Sequence, residues 1–406
     1  MELTLLGTGA PEGLPLSGCP CAACATALGD AARAATALLV DGVLLLDLTP
    51  GAAFAAARAG HSLGGVRQVL LSHPHDGPAV EVPAGLPQPG RVADGRELAL
   101  LTGHRVRAVA MDAPGTGYEV TGPDGERLLY LPPGGAPAGI EGNGSAAGGE
   151  RIPYEMVVAD VVGRPDGLAR LRAAGAVGPT TDVVAVHIGH EVPPGRELTR
   201  RLAAAGARAV PDGTTLVVGA YEDVPDVPRR TLVVGGARSG KSVEAERRLE
   251  SFPEVLYVAT GGTRNGDTEW AQRVSLHRER RPGSWRTAET CDLVPLLAQD
   301  GPALLIDCLS LWLTHVMDEV KAWDDAEWAG GGERELRARV AELADAVRAT
   351  RRTVVAVSNE VGSGIVPATA SGRRYRDELG RLNAAFAAEC EHVLLVVAGQ
   401  ALPLRG

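Results

Sequence analysis

The sequence predicts an α/β protein, and two observations carry this prediction. From residue 231 onward, short apolar runs of strand length alternate with amphipathic segments of helical length, a pattern typical of a mostly parallel sheet covered by helices on both faces. The segment 235–242 reads GGARSGKS and stands between an apolar run and a helical segment, which is the setting of a phosphate-binding loop. The C-terminal part is therefore predicted to be a P-loop domain.

The elements of this part follow one another in a regular order. Each predicted strand contains an apolar run, made mostly of Val, Leu, Ile and Ala, as expected for strands that are buried on both faces. The predicted strands are 231–236, 254–260, 303–308, 353–359 and 392–399, and the predicted helices are one from Lys241 and those over 268–280, 309–320, 333–350 and 372–390.

Length and composition limit the classes of protein to which the chain can belong. The chain has 406 residues, 45% of them hydrophobic and 22% charged, which excludes a disordered, collagen-like or coiled-coil chain. The formal charge of −10 gives no support to a nucleic-acid-binding body. Only two of the 40 basic residues are lysines, Lys241 and Lys321. A GC-rich genome would produce this bias, so a lysine that persists is a candidate functional residue.

The organisation of the chain is predicted from its polar segments. The stretch 219–230 is polar, contains two prolines and separates two strand-like runs, so we expect domains at 1–220 and 231–406 with a linker at 221–230. The segment 132–149 is rich in Gly, Pro and Ala and is predicted to be a loop. No secretion signal or membrane span is predicted, and we expect a cytoplasmic protein.

The P-loop motif predicts a nucleoside-triphosphate site. Its glycines let backbone N–H groups turn towards phosphate oxygens, the lysine reaches the β- and γ-phosphates, and the serine hydroxyl can join a Mg²⁺ shell. The predicted residues are Gly235, Gly236, Ala237, Arg238, Ser239, Gly240, Lys241 and Ser242. Asp307 follows the apolar run 303–306. This is the position at which a carboxylate that helps to hold Mg²⁺ is expected.

A histidine followed by arginines is the next candidate. His277 precedes Arg278, Glu279, Arg280 and Arg281. An imidazole can attack the α-phosphorus of a nucleotide, and arginines can neutralise the leaving pyrophosphate. On the residues alone, a solvated basic helix end explains the same pattern.

Six ordered motifs in the C-terminal part resemble one family. They are GGARSGKS (235–242), LYVAT (256–260), the segment 273–289, LLIDCLSLWLT (304–314), SNEVGSGIVP (358–367) and YRDELGRLN (375–383). Together they are similar to the bifunctional adenosylcobinamide kinase/adenosylcobinamide-phosphate guanylyltransferases, whose domain is RecA-like. The resemblance implies that His277 carries GMP covalently. It also implies a nucleotide site that includes the P-loop, Ala259, Thr260, Gly261, Arg278, Glu279, Arg280, Arg281, Glu289 and Asp307.

The resemblance also implies a reaction sequence. A nucleoside triphosphate, ATP or GTP, phosphorylates adenosylcobinamide, and GMP from GTP then passes through His277 to adenosylcobinamide phosphate, with Mg²⁺ serving both steps. The family implies a homo-oligomer. The roles of Asn359 and Glu360 stay open between ligand contact and turn formation. His315 departs from the family, in which asparagine is frequent at this position.

The N-terminal part carries three clustered cysteines. Cys19, Cys21 and Cys24 lie within six residues and could supply three ligands to Zn²⁺, form a redox site or simply be buried. The start of the chain resembles the metallo-β-lactamase superfamily, particularly its carbon–phosphorus lyase phosphodiesterase branch. The resemblance implies an αββα fold and a structural zinc bound by Cys19, Cys21, Cys24 and His190.

The catalytic metal motif of that superfamily is incomplete in this sequence. The segment 73–77 reads HPHDG rather than H-x-H-x-D-H, and 129–133 reads LYLPP where a bridging aspartate is expected. His73, His75 and His187 remain as possible ligands, fewer than a two-metal hydrolase needs. We therefore expect a non-catalytic N-terminal domain beside a transferase. The alternatives are a phosphodiesterase fused to a kinase, or a silent nucleotide-binding regulator.

Overall fold

The structure is a computed structural model that describes residues 1–74, 81–138, 152–220, 227–261 and 281–406. The chain divides into two compact units, Met1–Val227 and Pro228–Gly406. Several features predicted from the sequence lie outside the described residues. They are the helix 268–280, the candidate site residues His75, His277, Arg278, Glu279 and Arg280, and parts of the loop 132–149 and of the linker 221–230. Among the described helices, none combines the length and apolar character needed to cross a membrane.

The first unit contains two sheets. The first sheet has the order β11-β1-β2-β3-β4 and the second the order β10-β9-β8-β7-β6-β5. The strands are β1 (Glu2–Gly7), β2 (Ala37–Val40), β3 (Leu44–Leu46), β4 (Gln68–Leu70), β5 (Glu97–Ala99), β6 (Arg105–Ala110), β7 (Thr116–Thr121), β8 (Arg127–Tyr130), β9 (Met156–Ala159), β10 (Asp182–Ala185) and β11 (Thr214–Val217). The helices are α1 (Ala22–Thr26), α2 (Ala52–Arg58), α3 (Pro165–Ala173) and α4 (Arg196–Ala204).

Three apolar clusters show how these sheets and helices are layered. Because successive side chains on a strand point to opposite faces, Leu38 of β2 packs between the two sheets while its neighbour Leu39 packs against α2. On the second sheet, Leu128 of β8 faces the first sheet and Leu129 packs with α3 and α4. The layers therefore run helix, sheet, sheet, helix, which confirms the predicted αββα fold.

The second unit is built on one seven-stranded sheet of order β14-β13-β15-β16-β12-β17-β18. Its strands are β12 (Arg230–Gly235), β13 (Val255–Ala259), β14 (Arg286–Glu289), β15 (Ala303–Asp307), β16 (Val354–Asn359), β17 (His392–Val397) and β18 (Gln400–Arg405). Its helices are α5 (Lys241–Arg247), α6 (Leu293–Ala298), α7 (Leu309–Glu319), α8 (Asp325–Glu327), α9 (Glu333–Ala349) and α10 (Ala370–Ala388), with a π-helical turn at Trp328–Gly332.

Helices cover both faces of this sheet, as the sequence predicts. Helices α6, α7, α9 and α10 pack on one face through a cluster that includes Leu304 and Val354. Helix α5 packs on the other face through Ala245, against a cluster that includes Leu305 and Val355. Every pairing is parallel except that of β17 with β18, so the carboxyl ends of six strands lie at the same edge of the sheet.

Two strands of this sheet were not predicted. Strand β14 is a short, largely exposed edge strand without the apolar run that marks the others. Strand β18 returns along β17 after a two-residue turn in which Ala398 and Gly399 have φ of 50° and 75°, the left-handed conformation that tight hairpins require. Alanine at the first turn position hides this turn from sequence reasoning, because Asn, Asp or Gly is usual there.

Candidate functional site

The predicted phosphate-binding loop connects β12 to α5 at the carboxyl edge of the sheet. A side chain at Gly235 would lie 2.5 Å from Ser239 Oγ and 2.6 Å from the carbonyl oxygen of Val396, so the close approach of the backbone requires glycine. Gly240 has a φ of 98° and immediately precedes α5. The Lys241 Nζ donates a hydrogen bond to the carbonyl oxygen of Gly236 at 3.1 Å, which holds the ammonium group over the loop.

The strand register brings the other predicted nucleotide-binding positions to the same edge. Ala259 is aligned with Glu289 on one neighbouring strand and with Asp307 on the other. Gly235 is aligned with Asn359. The exposed Glu289, the end of β15 and the P-loop therefore lie at the edge formed by the carboxyl ends of the strands. Open α/β sheets bind their ligands at this edge.

The hydroxyl of Thr260 joins β13 to the residue that follows Asp307. Thr260 Oγ1 donates to the carbonyl oxygen of Cys308 at 2.7 Å and accepts from the Cys308 N–H at 2.9 Å. Thr260 is 4% exposed, so its hydroxyl is committed to the backbone. In this structure Thr260 therefore supports the loop that follows Asp307.

Tyr257 is a site residue that sequence reasoning missed. Its hydroxyl donates to Asp307 Oδ2 at 2.7 Å, and the guanidinium carbon of Arg281 lies 3.2 Å from the centre of its ring. Burial, followed by the charge of Asp307, raises the pKa of Tyr257, so the phenol stays protonated and remains a donor. The available signal was register, because Tyr257 stands two residues before Ala259 and hence on the same face of β13.

The structure describes three further positions that the sequence singled out. Asn359 Nδ2 donates to Ser310 Oγ at 3.0 Å. Glu360 Oε1 accepts from the N–H groups of Gly362 and Ser363, so in this structure the Glu360 side chain forms a turn. His315 lies on the surface of α7, 3.3 Å from a carboxylate oxygen of Glu319.

In the first unit, the three cysteines meet His190 although about 170 residues separate them in sequence. Cys19 Sγ lies 3.2 Å from His190 Nδ1, and the sulfurs of Cys21 and Cys24 each lie 3.6 Å from it. Tetrahedral zinc, with bonds of about 2.3 Å to sulfur and about 2.0 Å to nitrogen, places such ligands about 3.5 Å apart. A hydrogen bond from the Cys24 N–H is the largest effect that lowers the pKa of Cys21, to about 6. The four residues therefore fit a zinc ion.

A second polar cluster in this unit lies at the ends of β3, β4 and β8. Asp47 accepts from the Ser72 N–H at 2.7 Å, from the Ser72 hydroxyl at 2.6 Å and from the Tyr130 hydroxyl at 2.6 Å. His187 Nε2 lies 3.1 Å from the carbonyl oxygen of Leu131. Since a carbonyl only accepts, this nitrogen carries hydrogen, and burial lowers the His187 pKa to about 3.

These contacts do not favour the two-metal centre of the hydrolase alternative. Both oxygens of Asp47 already accept hydrogen bonds from protein groups, and Nε2 of His187 serves as a donor rather than a ligand. Within the described part of the chain, Cys19, Cys21, Cys24 and His190 are the one group of three or more metal-ligating side chains close enough to share an ion. Asp47 and Nε2 of His187 are thus engaged in hydrogen bonds within the protein.

Comparison with known sequences identifies relatives of the second unit. Residues 231–404 match the family model described as cobinamide kinase / cobinamide phosphate guanyltransferase. The bifunctional adenosylcobalamin biosynthesis protein CobP of Pseudomonas aeruginosa is 42% identical over 182 residues, which are 44% of this chain and 98% of that protein. The corresponding CobU of Salmonella typhimurium is 38% identical over 183 residues, 41% of this chain and 95% of the relative.

Two solved structures that resemble the chain each cover just over half of it. One is a diphosphatase of the PhnP family, with a TM-score of 0.39, 19% identity and coverage of 53% of this chain and 97% of that chain. Another is zinc-bound PqqB from Methylobacterium extorquens, with a TM-score of 0.36, 18% identity and coverage of 53% and 100%. Through its second unit, the chain belongs to the cobinamide kinase / cobinamide phosphate guanyltransferase family.

Proposed function

We propose that the chain phosphorylates adenosylcobinamide and then transfers GMP from GTP to the product. The observation that carries this proposal is the P-loop at the carboxyl edge of the sheet, with Asp307 and Glu289 aligned beside it. The chain is also 42% identical over 182 residues to a bifunctional adenosylcobalamin biosynthesis protein. The proposal assigns both reactions to residues 231–406 and keeps 221–230 as the linker between the domains.

The first step is phosphoryl transfer. The substrate hydroxyl oxygen bonds to the γ-phosphorus of the nucleoside triphosphate and releases its proton to solvent, the bond from that phosphorus to the bridging oxygen breaks, and the nucleoside diphosphate leaves. Lys241 neutralises charge on the β- and γ-phosphates, and the loop glycines let backbone N–H groups approach them. Ser242 and Asp307 would hold Mg²⁺, which supplies charge neutralisation and in-line orientation. The proposal accepts ATP or GTP as donor.

The second step is nucleotidyl transfer through a histidine. A His277 ring nitrogen bonds to the α-phosphorus of GTP and pyrophosphate leaves. A phosphate oxygen of adenosylcobinamide phosphate then displaces the histidine and yields adenosyl-GDP-cobinamide. Arg278 and Arg280 would neutralise the phosphates, with Glu279 beside them in the same segment, and Glu289 can accept hydrogen bonds from ribose hydroxyls. Ala259 and Gly261 offer backbone groups to the nucleotide.

Covalent labelling tests the second step. The full chain incubated with α-labelled GTP should retain acid-labile label, and His277→Ala should retain none. His315→Ala is the matched control, because His315 is an exposed histidine of the same unit, paired with Glu319. Equal labelling of wild type and His277→Ala contradicts the assignment. A wild-type chain that binds GTP but shows neither label nor phosphorylation of cobinamide supports a silent regulator instead.

For the first unit we propose a structural zinc ion at Cys19, Cys21, Cys24 and His190, and no hydrolytic activity. The sulfur-to-nitrogen distances of 3.2–3.6 Å support the ion, and the hydrogen bonds to Asp47 support the absence of hydrolysis. Elemental analysis of the full chain should give about one zinc, and Cys24→Ser should remove most of it. Cys390→Ser is the control. Two or more metal ions per chain, with phosphodiesterase turnover, support the hydrolase alternative.

The proposal includes a homo-oligomer, as the family resemblance implies. Light scattering coupled to size exclusion measures its mass directly. A monomer at micromolar concentration contradicts this part of the proposal and leaves the two transfer reactions unaffected.

A further inference from the structure

The Asp307 carboxylate is hydrogen-bonded by a tyrosine from the neighbouring strand. Tyr257 on β13 is 5% exposed, and its hydroxyl reaches Asp307 Oδ2 at 2.7 Å. A carboxylate accepts through two oxygens, so a bond at Oδ2 fixes the plane of the group while Oδ1 can still accept from another group. Because β13 and β15 are paired in register from Val255 to Ala259, both ends of this contact stand on rigid backbone.

An arginine side chain packs on the ring of the same tyrosine. The guanidinium carbon of Arg281 is 3.2 Å from the ring centre, and its Nε is 4.0 Å from Glu246 Oε1 on α5. The side chains of Arg281 and Glu246 are 7% and 9% exposed. A desolvated cation over an aromatic face is a favourable contact. Arg281 thus packs between a central strand and the helix that follows the P-loop.

Arg281 also has a particular place in the sequence. It ends the run of charged residues that follows His277, the residue proposed to receive GMP. The resemblance assigned Arg281 a direct contact with the nucleotide. Its burial between Tyr257 and Glu246 favours a different task, namely holding the Tyr257 ring in place.

We propose that Tyr257 is a positioning residue that fixes Asp307 for both transfer steps, with Arg281 packed on the face of its ring. This inference rests on the proposed function and adds Tyr257 to its machinery.

The test of Tyr257 removes only its hydroxyl. In Tyr257→Phe of the full chain, the Mg²⁺ concentration that half-saturates binding of a fluorescent GTP analogue should rise about tenfold, as expected for loss of a hydrogen bond to a charged group, while binding in EDTA stays unchanged. Tyr118→Phe is the control, because it removes a buried 2.7 Å hydrogen bond to Leu71 in the first unit. A Mg²⁺ titration of Tyr257→Phe that superimposes on the wild type overturns the proposal.

A double substitution keeps this test decisive if Tyr257→Phe is less stable. In the Asp307→Asn background, adding Tyr257→Phe should leave the Mg²⁺ titration unchanged, because the hydroxyl acts through that carboxylate. A further shift of similar size in the double variant shows a general structural effect and contradicts the positioning role. These binding measurements stand even if the wild type transfers no GMP, so failure of the proposed function is recognised separately.

Discussion

Replacing Thr260 by valine gives a sharp test of how the site is supported. Valine has nearly the shape of threonine, so the change removes the hydroxyl and little else. That hydroxyl donates to the carbonyl oxygen of Cys308 at 2.7 Å and accepts from its N–H at 2.9 Å. Thr260 is 4% exposed and Cys308 is 7% exposed. Water therefore cannot easily replace either hydrogen bond.

The size of the effect follows from these two contacts. A buried polar group that loses its partner costs about 1–3 kcal/mol. Thr260→Val leaves the Cys308 N–H without its acceptor, whereas the Cys308 carbonyl oxygen still accepts from the N–H groups of Leu311 and Trp312. We expect the free energy of unfolding of the second unit to fall by about 1–3 kcal/mol. For a slope of about 2 kcal/mol per molar urea, the midpoint moves down by about 0.5–1.5 M. Thr260→Ser keeps the hydroxyl and should lose only about 1 kcal/mol for its missing methyl group.

Tryptophan fluorescence makes the measurement specific. All five tryptophans stand at positions 270, 285, 312, 323 and 328, within the second unit, so their emission during urea titration follows that unit. The reasoning is refuted if Thr260→Val and Thr260→Ser unfold at the same urea concentration. A change in slope rather than midpoint shows an altered denatured state and makes the comparison void.

Three further predictions concern single residues. Gly240→Ala puts a side chain at a φ of 98°, which costs about 1 kcal/mol or more; nucleotide affinity measured by equilibrium dialysis should fall at least fivefold, and an unchanged affinity speaks against loop strain. Burial lowers the His187 pKa to about 3, below the unfolded value of about 6.5, so between these values only the unfolded chain binds the proton. The stability of the first unit should therefore decrease as pH falls below about 6.5, by up to about 1.4 kcal/mol per pH unit, and calorimetry of His187→Gln should show a flatter dependence; identical slopes contradict this. Asp182→Asn removes the charge and one of the two acceptors for the hydrogen bonds of 2.7 and 3.0 Å from Arg208 and should cost the first unit about 3 kcal/mol, while the second calorimetric transition stays in place; a shift of both transitions would mean that the units unfold together.

The parts of the fold that were predictable are those with local signals. The strand ending at Gly235 and the helix from Lys241 are marked by an apolar run, a glycine-rich loop and a lysine in immediate succession. The strand that ends at Asp307 has the same kind of apolar run. Buried parallel strands produce such runs because both of their faces contact helices.

The parts that were not predictable depend on contacts between distant segments. Nothing near Tyr257 in the sequence indicates that its hydroxyl meets Asp307, because the contact depends on the order of strands in the sheet. Asp47 was missed for the same reason, since its donors Ser72 and Tyr130 come from other strand ends. The meeting of Cys24 with His190 was expected only from the family resemblance, not from spacing.

The shared location of the nucleotide-site positions at one edge of the sheet also has a thermodynamic consequence. The positions are the P-loop, Ala259, Glu289, Asp307 and Asn359. These positions are spread over 125 residues, from Gly235 to Asn359, and they become neighbours only when β12, β13, β14, β15 and β16 have paired. A nucleotide that binds this edge therefore binds the folded unit and not the unfolded chain. At one hundred times its dissociation constant it would stabilise the whole unit by about 2.7 kcal/mol, so the substrate also acts as a ligand that protects the enzyme from unfolding and proteolysis.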